Sequence, residues 1–297
     1  MELAARELLV MFSTPLYAVL ILAEMLLSKL QHKNYYTLKD TVVNISFMVI
    51  AILIELIMVA TYFLLLHFFY THRFFTIENV WSYWLVLLVV EDFIFYWLHY
   101  LEHHSRFFWA VHATHHSSEQ FNLTVGFRSS VFQPLYRFVF FIPLCVMGFK
   151  IPDILLMYSA TQIWGILIHT EYVGKLGFLE HILSTPSNHR VHHASNIPYL
   201  DKNIGMVFIF WDKIFGTFTS EDNSQKTVYG LTKKINLDNP DELLFHEWKE
   251  IMLDLKKNVS WQDKLKYLFA PPGWSHDGSR KTTSQLQQEH KKTGMIC

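Results

Sequence analysis

Charged side chains are scarce: Asp, Glu, Lys and Arg make up 17% of the 297 residues, against about 25% in soluble domains. So little charge excludes the surface of an ordinary cytosolic protein. Neither sign is in excess, since the net charge is −1 with His neutral. That excludes an electrostatic nucleic-acid binder, which needs a basic patch or stripe. Cysteine is nearly absent, with Cys145 and Cys297 alone and no C-x-x-C, so a disulfide framework is excluded. With Cys297 as the last residue, no prenylation signal is expected. Intrinsic disorder is excluded for most of the chain, because 51% of it is hydrophobic.

What is present is apolar and arranged in long runs. Residues 8–27, 42–70, 81–101, 131–149 and 151–168 are five such stretches of 18 to 29 residues, broken by few polar side chains such as Glu24, Asn44, Glu55, Glu91 and Asp92. A bilayer core needs about 20 apolar residues of helix, so about four to five transmembrane or re-entrant helices are expected. The first run reads as a retained anchor, because residues 1–7 carry Glu2, Arg6 and Glu7 and no basic leader. Lys29, Lys33 and Lys39 against Asp40 place the next loop in the cytoplasm. The loop after the second run sets Arg73 against Glu78, a balance that suits the outer face. Counting spans from there brings the end of the third run, the loop beyond it and everything after the fifth run to the cytoplasmic side.

Histidine is the residue in excess, with 17 copies, 11 of them between His99 and His193. His99 and His103 lie four apart, on one face of a helix. His112, His115 and His116 form H-x-x-H-H, and His189, His192 and His193 repeat it; His169 ends the fifth run. Span counting, which made no use of histidine, sets all of these at one membrane face. Imidazole is the commonest protein metal ligand and suits iron, zinc, copper and nickel. Eight or nine imidazoles exceed the needs of one ion, so two metals are expected. A redox metal pair beside lipid points to oxygen activation on an apolar substrate. A metal transporter would line a path across the bilayer, whereas these histidines gather at one end. A zinc hydrolase of the H-E-x-x-H kind is excluded, because Tyr100 follows His99.

Asp92, Tyr96, His99 and His103 form one stripe on the third run. A carboxylate inside a span is functional by default, and Asp92 is expected to accept a ring N–H from a liganding His, with helix packing as the alternative. Glu102, Glu119 and Glu171 stand within a few residues of clustered histidines, either in the same supporting role or as solvated charge. Phe95, Tyr96, Trp97, Phe107, Phe108 and Trp109 either line an acyl slot or anchor the chain at the interface, with anchoring favoured.

The stretch from Asp92 through Tyr96, His99 and His103 to His112, His115 and His116, together with Thr185, Pro186, Asn188, His189, His192 and His193, resembles the three histidine boxes of the fatty acid hydroxylase or sterol desaturase superfamily. Further stretches resemble its glyceryl-ether monooxygenase branch: His115 to Glu119 with Asn122, Ile168 to Glu171, Asp201 to Gly205, and Trp211 to Phe218. One departure is Asn188, where many members have another His. The resemblance implies an all-α integral membrane protein with a cytosolic, histidine-rich di-metal site. It implies two iron ions held by His99, His103, His112, His115, His116, His189, His192 and His193, with His169 as a ninth ligand, and Asp92, Glu119, Asn122 and Glu171 as candidate catalytic residues. It further implies O2-dependent hydroxylation of a lipid, at the ether-linked carbon of an alkylglycerol for that branch, releasing a fatty aldehyde and a glycerol derivative. The reductant of that branch is tetrahydrobiopterin. Other branches hydroxylate or desaturate sterols, sphingolipids or fatty acids and take electrons from a donor protein such as cytochrome b5 or a ferredoxin. The membrane implied is the endoplasmic reticulum in a eukaryote and the inner membrane in a bacterium.

The expected organisation is therefore N-terminal transmembrane helices over residues 1–80, a hydroxylase-type catalytic region over 81–221, amphipathic C-terminal helices over 222–274, and a disordered tail over 275–297. Residues 241–257 set Leu243, Leu244, Trp248, Ile251, Met252 and Leu255 on one helical face. With a second short helix over 261–269, they either lie on the membrane or cap the site, the latter favoured.

Overall fold

The computed structural model describes residues 2–77, 79–128 and 130–294. Glu78, Cys297 and the side chains of Glu2, Arg6 and Glu7 lie outside the described residues. The described chain is helical, with only two isolated β-bridges, Leu183 to Phe208 and Ala194 to Tyr229. Three helices are long and apolar enough to cross a membrane: α1 (Glu2–Leu30, from Met11 onward), α2 (Leu38–Thr71) and α3 (Val80–His104). Their starts are chemically marked. Thr37 caps α2 by accepting from Asp40 N at 3.3 Å, and Asn79 caps α3 by accepting from Ser82 N at 3.0 Å. Much of their surface is apolar and exposed, for example Phe12, Leu22, Ile57, Leu64 and Leu85. An apolar exterior of that extent marks contact with lipid or another protein rather than water.

After α3 the chain turns at an extended Ser105 into α4 (Arg106–His112). The fourth apolar run does not make one span. It breaks into two 3₁₀ turns, Gln133–Leu135 and Arg137–Phe141, and the short helix α5 (Ile142–Val146). Pro134 and Pro143 each remove a backbone donor, and Gly148 ends the run at φ +98°, where a Cβ would stand 2.2 Å from Phe75 O. The fifth run gives α6 (Ile151–Leu167), whose 17 residues reach only about 25 Å. Leu66 of α2, Leu87 of α3, Leu144 and Cys145 of α5, and Ile154 of α6 form the main buried cluster.

The histidine end is built from shorter pieces. α7 (Pro186–His193) is capped by Thr185, begins with Pro at its first position, and has all eight side chains buried. α8 (Phe210–Phe215) ends at Gly216, which has φ +77°. α9 (Pro240–Leu255) packs on α4 and buries Leu243 and Ile251 while Met252 stays exposed; α10 (Trp261–Phe269) packs on α9. The segment whose polar composition pointed to disorder instead carries α11 (Thr283–Gly294). It is held because Gln287 Nε2 donates to Ile197 O (3.2 Å) and Leu200 O (2.9 Å), a long-range anchor that composition cannot reveal.

Candidate metal centre

Nine histidines from four parts of the chain meet at the C-terminal end of α3. They fall into two groups. His99, His103, His112, His116 and His192 form one, and His115, His169, His189 and His193 the other, each with its nitrogens within 4.8 Å of one another. The boxes interleave: one H-x-x-H-H divides as His112 and His116 against His115, the other as His192 against His189 and His193. The two groups touch, the His116 and His193 rings stacking at 4.4 Å between centroids. α3 supplies His99 and His103 one turn apart, α4 leads into His112, His115 and His116, and α7 presents the last three. Gly126 permits the approach of the 125–128 turn to His169, since a Cβ there would lie 2.9 Å from Ile166 Cα.

Several rings are held by an oxygen at Nδ1. His99 bonds to Ile204 O at 2.7 Å, His192 to Lys202 O at 3.0 Å, His115 to Arg128 O at 2.9 Å and His169 to Gly165 O at 2.6 Å. A carbonyl can only accept, so each Nδ1 carries the proton and each Nε2 presents a lone pair. His103 Nδ1 faces Asp201 Oδ1 at 3.1 Å, and His112 Nδ1 lies 3.0 Å from Ser130 Oγ and 3.4 Å from Glu102 Oε2. The Nε2 atoms then crowd together: His99 and His112 at 3.0 Å, His112 and His116 at 3.2 Å, His169 with His189 at 2.9 Å and with His193 at 3.1 Å. His103 Nε2 and His192 Nε2 are buried with no hydrogen-bond partner. Inward-facing lone pairs at such separations repel unless a cation lies among them. Burial first, and neighbouring imidazoles next, hold His112, His116, His192 and His193 well below the usual imidazole range; burial also brings His115 down to about 4. Those five rings are thus neutral at physiological pH, the form that binds metal. The donors therefore fit two metal ions with all-imidazole ligation.

The carboxylates are arranged differently from the sequence expectation. Asp92 does not take a ring N–H. It accepts from Val207 N (2.9 Å), Phe208 N (3.1 Å) and Trp211 Nε1 (3.0 Å), because the 203–211 loop packs between it and the cage. Buried Asp212 holds the same loop through Ile204 N (2.7 Å) and Gly205 N (2.8 Å). Glu119 is exposed, away from the rings. Asn122 braces a turn, donating to Tyr35 O and accepting from Thr124 N. Glu171 accepts from Tyr229 OH at 2.6 Å, and Tyr229 stacks on Phe121, which lies against His169, His189 and His193. Asn188 also serves structure, its backbone N–H meeting the Thr185 cap. Asp201, Asp212 and Ser130 were missed as supporting residues. The signal for the two aspartates lay in the 201–218 stretch already singled out, where Asp201 and Asn203 adopt φ of 55° and 54° around the carbonyl that holds His192; nothing in the sequence marked Ser130. Backbone strain of that kind is concentrated at functional sites.

A cavity of about 140 Å³ opens onto both groups. His103, His116, His192 and His193 form its floor, Trp109 one wall, and Leu231, Lys281 and Leu286 its cover.

Residues 84–217 match the family model for fatty acid hydroxylase. This region, which holds all nine clustered histidines, belongs to the fatty acid hydroxylase family. It is similar to alkylglycerol monooxygenase of Homo sapiens, 36% identical over 270 residues, which cover 88% of this chain and 59% of the relative. It is similar also to alkylglycerol monooxygenase of Xenopus tropicalis, 36% identical over 66% of this chain and 43% of the relative. A shorter likeness, 33% identical over 32% of this chain and 28% of the relative, is to ornithine lipid hydroxylase OlsE of Rhizobium tropici. The chain thus spans about half the length of the alkylglycerol monooxygenases it matches. No solved structure matches it.

Proposed function

We propose that this chain is a membrane-bound di-iron lipid monooxygenase acting on the ether-linked carbon of alkylglycerols. The observation that carries the reading is the pair of touching, all-imidazole groups at the end of apolar helices long enough to cross a bilayer. The alkylglycerol monooxygenase relatives support the substrate class. Bound iron would supply the oxidising power to insert one atom of O2 into a C–H bond, while the other atom leaves as water with two electrons and two protons from a reductant. The hydroxylated ether carbon is a hemiacetal, which releases the glycerol oxygen and becomes a fatty aldehyde. Tetrahydrobiopterin is the proposed reductant, with an electron-donor protein as the alternative. We place the site on the cytoplasmic face of a multi-pass protein, in the endoplasmic reticulum of a eukaryote or the inner membrane of a bacterium.

The chain's own part is positioning and exclusion of water. Ile204 O, Lys202 O, Arg128 O and Gly165 O fix ring tautomers, and Asp201 and Ser130 hold two more rings. Trp109, Leu200, Leu231 and Leu286 give the cavity an apolar wall. The test is incubation of membranes containing the chain with radiolabelled alkylglycerol, O2 and tetrahydrobiopterin. Labelled fatty aldehyde is expected, and none from membranes carrying His192→Ala. Turnover of another lipid with no aldehyde would reject the ether-cleaving reading and favour a hydroxylase acting elsewhere on a lipid.

A further inference from the structure

Two loops beside the metal centre form a single apolar surface that the reaction does not use. Ser184 N donates to Val207 O (2.8 Å), Ile209 N to Ile182 O (3.0 Å) and Lys213 Nζ to His181 O (3.0 Å). Residues 176–184 and 206–215 are thereby joined into one lip. Its outer side exposes Leu176, Leu179, Ile182 and Phe215, with Phe178 at 72% and Ile214 at 64% exposure. Side chains of that size and number, left open together, mark an interaction surface.

We propose that this lip is seated in the acidic headgroup layer of the membrane that α3 crosses, with Phe178 and Ile214 reaching the upper acyl chains. Two observations select a lipid surface as the occupant. The lip is continuous with the outer side of α3: Phe215 lies 5.0 Å from the half-exposed Trp97, and Trp211 lies 4.9 Å from Phe93, ring to ring. Its exposed charge is the cation Lys213, with exposed Lys175 at its edge donating to Glu221 O (2.7 Å), whereas Glu180 accepts from Leu176 N and Ser187 Oγ and Asp212 is buried. An apolar face rimmed by lysines is the pattern of an interfacial membrane contact. Because Asp92 and Asp212 pin the 203–211 loop that also orients His99, the lip fixes the height of the metal centre above the bilayer. The inference rests on α3 lying in lipid and not on the reaction catalysed.

The test uses the full chain in phosphatidylcholine–phosphatidylserine vesicles. Phe178→Cys, Ile214→Cys and, on the lipid side of α2, Leu56→Cys are made separately with Cys297→Ser, and each is labelled with a small fluorophore. All three positions are exposed, so the substitutions remove no packing. Labels at 178 and 214 are expected to be quenched by lipids brominated high on the acyl chain and to lose quenching by aqueous iodide. Full iodide access at 178 and 214, with lipid quenching kept at 56, would overturn the lip while leaving the spans in place. Absence of lipid quenching at all three would overturn the membrane reading and the lip with it. Protection that disappears as the protein is diluted in lipid would show a second copy covering the patch and would also overturn it.

Discussion

Asp201 and Asp92 each stand close to a clustered histidine in the sequence, yet they do different work. Asp201 meets His103 directly, whereas Asp92 meets only the backbone and Trp211 of the 207–211 loop. Asp201→Asn is therefore expected to weaken metal retention roughly 10–100-fold with little change in thermal stability, as read by metal titration beside a melting curve. Asp92→Asn sets an amide N–H against backbone donors. It should lower stability by about 1.5–3 kcal/mol and reduce protein yield before it changes metal affinity. A normal melt with lost metal would reverse that assignment. Helical spacing did not show that each H-x-x-H-H divides between two groups, but the box histidines themselves were legible, because that spacing sets His99 over His103 and keeps each H-x-x-H-H local. Their supports were not, because four of the oxygens that hold them are backbone carbonyls, which every residue type carries. Asp92 misled for a physical reason. A buried carboxylate needs donors, but the sequence does not say whether a ring or a returning loop supplies them.

At the scale of elements, ions tie α9 to α4 and to the segment that leads into Lys281 and Leu286 of the cavity wall. Arg106 at the start of α4 bonds Glu247 and Asp254 of α9, each at 2.6 Å, and Asp254 also takes Arg280 and Lys257, each at 2.7 Å. Burial pushes the Asp254 carboxyl up, but hydrogen bonds from Lys257, Arg106 and Arg280 outweigh it and hold it at about 2. A depressed carboxylate contributes stability above its unfolded value of about 3.9, lost as pH falls toward 2. The packing of α9 on α4 should accordingly loosen across that window. Asp254→Ala should cost about 1.5–3 kcal/mol, the loss of a charged hydrogen-bond partner, because Arg106 keeps Glu247, and protease cleavage after residue 240 should accelerate. Gln287→Ala should free α11 alone, seen as faster hydrogen exchange over residues 283–294 with exchange in α9 unchanged. The long spans α1 to α3 were legible from their apolar runs. The fourth run was not, because hydropathy is blind to the two prolines that break it. α11 was hidden for the opposite reason: its polar sequence hid an anchor made by one glutamine.

For the whole molecule, low charge and surplus histidine are parts of one arrangement. Apolar helices carry their side chains outward, and an imidazole cage stands at the C-terminal end of α3, with Thr283 and Leu286 of α11 lining the cavity beside it. Interleaved boxes make the two histidine groups interdependent, because α7 alone gives His192 to one and His189 and His193 to the other. Disrupting α7 should empty both sites together, and a variant that loses one metal while keeping the other would argue that the groups form separately. The most direct test of the account is the metal content of the purified full chain, measured by plasma mass spectrometry against protein concentration. The account predicts two iron atoms per chain; a single metal atom per chain, or zinc in place of iron, would contradict it.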